Sequence, residues 1–105
     1  MLDTTPLITA VDRFADRLRA APQSRLQQGA AEQALMLARE LSARAQRLEG
    51  VDGAPRAMPD AGMFAVGDQV AVAGHDLAAA LVTAPPEELD EAVEYVREAA
   101  ARAFA

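Results

Sequence analysis

The sequence has no cysteine, no lysine and no tryptophan, and its aromatic residues are three Phe and one Tyr. Without cysteine there is no disulfide, no thiolate metal site and no thiol nucleophile. A single histidine, His75, gives too thin a ligand set for a metal site, so no metal is expected. No P-loop, dinucleotide fingerprint or His-Glu-x-x-His motif occurs, and no cofactor is expected. No apolar run reaches the roughly 20 residues that span a bilayer. Met1 to Phe14 lacks a basic segment followed by an unbroken apolar stretch, so secretion by the usual signal is not expected. The expectation is a soluble, cytoplasmic protein without membrane contact. A basic face is lacking too. The net charge is −6, with residues 1–56 at +1 and residues 57–105 at −7. Nucleic-acid binding requires cations that displace counterions from phosphates, and this balance excludes it.

What is present is alanine, 26 residues of it in a chain of 105, with Leu, Glu and Arg beside it. These side chains lose little freedom in a helix. Hydrophobic residues make up 51% and charged residues 25%, a globular balance in a length that fits one domain, 1–105. Four helices are expected, at about 6–21, 24–49, 60–84 and 86–104. Thr5 caps the first and Pro6 suits its opening position. Leu7, Val11, Phe14 and Leu18 form its apolar stripe, while Asp12, Arg13, Asp16, Arg17 and Arg19 take a solvated face. Pro22 ends it. Ser24 and Gln27 then offer a capping box. The second helix runs through Leu26, Ala30, Gln33 or Ala34, Leu37, Leu41, Ala45 and Leu48 to a stop at Gly50. Gly50 to Pro59 is the one breaker-rich connector. Pro85-Pro86 separates the third helix from a fourth, whose inward face is Leu89, Val93, Val96 and Ala100 and whose outward face is acidic. The pattern predicts an all-α, up-down four-helix bundle with one longer crossover.

The most apolar stretch, Met63 to Ala84, admits two readings. As a helix capped by Asp60, it sets Met63, Val66, Val70, Ala73 and Leu77 along one seam. As a β-hairpin over 63–73, it turns at Gly67-Asp68 and makes the chain α+β. Poor alternation and the lack of partner strands favour the helix. On that helix Gly67, Ala71, Gly74 and Ala78 form one strip of small side chains, with Gln69 beside it. Two helix-interior glycines each cost about 1 kcal/mol against alanine, so something must pack closely on the strip. The strip packs against a helix of the same chain, forms a seam with a second copy, or lines a ligand groove. The expected function is self-association, as a homodimer, together with binding of a protein partner through this strip or the acidic last helix.

His75, Asp68 and Asp76 are the weak candidates for chemistry. Asp68 stands over His75 and Gln69 over Asp76 along one helix edge, but no nucleophile or third group is evident beside them. Gly74-His75-Asp76-Leu77-Ala78-Ala79 resembles the phosphoacceptor helix of histidine phosphotransfer domains, which are small helical bundles as well. Those domains carry Lys and Gly after the His-x-Leu, where this chain has Ala78 and Ala79. The resemblance implies phosphotransfer at His75; that, or another enzymatic or metal role for His75, is the alternative to a non-enzymatic association protein.

Overall fold

The computed structural model describes residues 1–50 and 52–105. The described residues form an all-helical four-helix bundle. Helix α1 is Thr5–Ala20, α2 is Ala31–Leu48, α3 is Val66–Leu81 and α4 is Pro86–Ala103. The apolar stripes read from the sequence are the core: Leu7, Val11, Phe14 and Leu18 from α1 meet Leu37 and Leu41 from α2, Val70 and Leu77 from α3, and Val96 from α4. No strand occurs among the described residues. Gly67 and Asp68, the turn of the hairpin alternative, lie in the first turn of α3.

Three helix starts differ from expectation. At α1 the N-cap position is Thr4 rather than Thr5, and its side chain makes no capping bond; the Thr5 backbone N–H is held instead by Asp3 Oδ1 at 3.0 Å. The Ser24–Gln27 capping box does not form, because the chain is already helical at Gln23–Arg25, straight after Pro22. This lead-in continues through Leu26–Ala30 and kinks at Gly29, whose φ of 131° and ψ of −14° break the long second helix expected over 24–49. The third helix is shorter than 60–84. Asp60 accepts the Gly62 N–H at 2.9 Å in a tight turn, and Gly62 has a φ of 94°, so regular helix begins only at Val66. Gly50, with a φ of 74°, ends α2 as its position suggests.

Cross-helix contacts give the directions. Asp12 meets His75 and Arg19 meets Asp68, so α1 and α3 are antiparallel. Gln33 meets Arg102 and Arg44 lies over Tyr95, so α2 and α4 are antiparallel as well. Leu35 lies near Val66 and Leu48 near Leu81, so the crossover returns the chain and α3 runs parallel to α2. Helices α1 and α4 therefore run in the same sense, side by side. Each of α1 and α2 packs on both α3 and α4.

Candidate interaction surfaces on either side of the first helix

Helix α1 is bordered by two unlike seams. Towards α3 the contact is close. A Cβ built on Gly74 would lie 2.5 Å from both methyl groups of Val11, and one on Gly67 would lie 3.1 Å from the Ala15 carbonyl oxygen and 3.0 Å from Arg19 Cγ. Gly67, Gly74 and Ala78 are buried and Ala71 is half-buried. The glycines therefore admit α1 of the same chain, and at Gly67 and Gly74 no face is left for a second copy.

The edge of this seam carries the polar residues singled out in the sequence, now with partners from α1. His75 Nε2 lies 2.8 Å from Asp12 Oδ1. Arg19 donates from Nε and a terminal nitrogen to Asp68 Oδ1, at 3.1 and 2.8 Å, and reaches Asp16 at 3.2 Å. Asp68, aided by Asp16, holds the Arg19 guanidinium above its ordinary range. The seven-residue step from Asp12 to Arg19 matches the step from Asp68 to His75, with the signs exchanged. Such half-exposed pairs set register more than stability. Gln69 faces elsewhere: its Nε2 donates to the Pro59 carbonyl at 2.8 Å. Arg39 donates to the Met58 carbonyl, and Gln46 bonds both the N–H and the C=O of Arg56. These side chains tie the crossover down across α2 and α3. Asp76 is exposed. Asp68 and His75 thus pair with α1, Gln69 holds the crossover and Asp76 stands exposed, and no two of the four bond to each other.

Towards α4 the contact is open. Between α1 and α4 lies a groove of about 680 Å³. Ala10, Phe14, Val96 and Ala100 supply apolar surface, with Phe14 almost wholly buried at the base. Arg13 and Arg17 stand on the α1 edge and Arg97 on the α4 edge, with the Thr5 and Thr9 hydroxyls nearby. Arg17 is stacked on the Phe104 ring, 4.1 Å from its centroid, and that ring meets Phe14 edge-on with centroids 6.1 Å apart. Arg13 and Arg97 have no ion pair among the described residues. Asp3, at the end where α1 begins, is the one carboxylate of the lining, and its bonds from the Thr5 side chain and backbone hold it below the usual carboxylate range.

By sequence alone Arg13 and Arg17 fall on a solvated face, with no sign of a groove. The available signal is their like-charged i,i+4 spacing, which costs isolated helix stability. Arg97 cannot be placed opposite them from sequence, because that requires knowing that α1 and α4 are neighbours. No helix among the described residues is long and apolar enough to cross a membrane. No protein-family model matches the chain, and neither does any curated protein or solved structure.

Proposed function

We propose that the chain is a non-catalytic association module whose working surface is the α1–α4 groove. The observation that carries this reading is the collection of three guanidinium groups around an apolar groove in a chain of net charge −6. Folding gives no reason to gather cations there, since Arg13 and Arg97 gain no partner from it. A guest that brings carboxylates and apolar surface relieves their repulsion and covers the groove floor, and arginine is the side chain best suited to hold carboxylates in a fixed geometry. The groove volume lies within the usual range of binding sites. Catalysis has less support. The hydroxyls of Thr5 and Thr9 have no strong base beside them, since Asp3 is held ionised and is a poor proton acceptor. A phosphoryl group on Nε2 of His75 would take the place of the hydrogen bond to Asp12 and put its charge against that carboxylate. Self-association through the glycine strip loses its surface to α1, so the proposed partner is a different protein.

A photo-crosslinking residue placed at Ala101 in the groove, and separately at exposed Met36 on α2 as a control, tests this in the native host. The expected result is a protein adduct from position 101 that is absent from position 36 and is lost when Arg13→Glu and Arg97→Glu are combined. Equal adducts from both positions, or none from 101, would overturn the proposal.

A further inference from the structure

Resting on that reading, we infer that the groove takes an acidic amphipathic helix of a partner protein, laid parallel to α1 and α4. Shape comes first. The groove follows the helices from Pro6 to Arg17, about 17 Å at 1.5 Å per residue, which is the length of three helical turns. On its floor Ala10 and Ala100 are small and Phe14 and Val96 are sunk almost wholly into the core, so a guest helix can approach to ordinary interhelical distance. An apolar ridge at i, i+3, i+4 and i+7 is what such a floor accepts.

Charge then selects the guest. Arg97 and Arg13 lie on opposite edges, so a helix between them meets a cation on each flank, and the flanks of its apolar ridge must carry Asp or Glu. Asp3 at one end opposes a carboxylate there but favours the positive end of a helix dipole. Arg13 and Arg17 lie towards the other end, where they favour carboxylates and the negative end of the dipole. Asp3 and the Arg13–Arg17 pair both prefer a guest whose N-terminus lies beside Asp3.

A second copy of this chain fits poorly as the guest. Its one strongly acidic helix is α4, whose apolar stripe of Leu89, Val93 and Val96 is already buried at home, so that only its charged face is on offer. The guest must present both faces at once, which a helix from another protein can do.

The test uses the full chain and fluorescein-labelled 18-residue synthetic helices, read by anisotropy at 50 mM salt. An acidic amphipathic helix is expected to bind saturably in the micromolar range. A peptide of the same composition with its apolar residues dispersed, and a lysine version of the amphipathic helix, are expected to bind at least tenfold more weakly. The combined Arg13→Glu and Arg97→Glu variant should reverse the preference, taking the lysine helix over the acidic one. Both positions are exposed, and a circular-dichroism melt confirms that the variant folds. A nitroxide on the guest's N-terminus should broaden the Thr5 and Thr9 amide resonances and spare Arg17. Equal binding of ordered and dispersed peptides, or an unreversed preference in the variant, would overturn the inference. So would broadening at Arg17 alone, as regards direction. Absence of peptide binding while the Ala101 adduct persists in the host would overturn the acidic-helix guest and leave the association module standing. A chain mass that doubles with concentration and falls back in the variant would replace the foreign helix by a second copy.

Discussion

Gly74 and Gly67 show how two identical residues on one helix face carry different constraints. A methyl group at Gly74 would meet both branches of Val11, which has no rotamer that withdraws them from a tightly packed seam. Gly74→Ala therefore gains about 1 kcal/mol of helix propensity but loses more through overpacking, and a net loss of about 1–2 kcal/mol is expected in urea unfolding. At Gly67 the neighbours stand farther off: Arg19 Cγ at 3.0 Å, on a flexible, half-exposed side chain, and the Ala15 carbonyl oxygen at 3.1 Å, which need yield only a few tenths of an ångström. Gly67→Ala should cost less, and the reverse order would mean that the α1–α3 seam is not where the strip packs. The sequence reveals that the strip demands a close neighbour but not which one. His75 is similar: its partner Asp12 is 63 positions away, beyond any spacing rule. Asp3 supplies a residue-scale test of pH. Its carboxyl titrates lower in the folded chain than the ordinary 3.8, so its contribution is present above that value and is lost as the pH falls through the lowered one. The stability difference between the wild type and Asp3→Ala should hold at neutral pH and shrink as the pH drops below 3.8; a constant difference would show that the capping bond adds nothing.

At the scale of elements, periodicity succeeds where one face of a helix is buried and fails where a single backbone angle decides. Leu26 to Ala45 follow helical spacing on both sides of Gly29, so the apolar pattern runs on through the kink. A glycine in a helix pattern is silent about its φ. At Gly29 a Cβ would meet nothing within 4 Å, yet its φ of 131° is one that other residues rarely adopt. Gly29→Ala should therefore destabilise by about 1–2 kcal/mol through backbone strain alone. A stabilised variant would show that the helix straightens at little cost. The third helix falls short of its expected span for the same reason. Gly62 at a φ of 94° and the Asp60 turn hold residues 60–65 out of it, although Met63, Phe64 and Ala65 are as apolar as the first residues of α3. The hairpin alternative fails because α1 and α2 cover α3 on two sides, which gives a helix more buried contact than an isolated pair of strands would have. The crossover's attachment is not legible in the sequence, since Gln46 and Arg39 look like surface residues until the chain returns over them. Removing that hold should be local: Gln46→Ala is expected to speed hydrogen exchange at the Arg56 amide, which donates to Gln46 Oε1 at 2.9 Å, while core amides of α2 and α3 exchange as before.

For the whole molecule the governing fact is that charge is arranged by partner rather than by balance. Asp12 and Arg19 of α1 are matched across the α3 seam. The α4 face with Glu87, Glu91, Glu94 and Glu98 and the groove edges with Arg13 and Arg97 have no ion pairs among the described residues. Glu87 with Glu91 and Glu94 with Glu98 repel at i,i+4 by a few tenths of a kcal/mol each, as do Arg13 and Arg17 on the groove edge. Salt screens these repulsions, which act through solvent over distances that the Debye length of about 10 Å at 0.1 M still reaches. It also screens the attractive pairs Arg19–Asp68 and Arg44–Glu40, but these are in hydrogen-bond contact at 2.8 Å and are less sensitive. Raising the salt from 50 to 500 mM should therefore increase the melting temperature of the free chain by about 2–5 °C, the shift that about 0.5–1 kcal/mol produces in a domain of this size. In the same samples the acidic helix should bind more weakly, because its attraction to Arg13 and Arg97 is screened by the same ions. Opposite salt responses of stability and binding are the signature of cations held in place for a guest. A melting temperature that falls with salt would mean that the surface pairs dominate the fold, and the three arginines would then be an ordinary solvated edge.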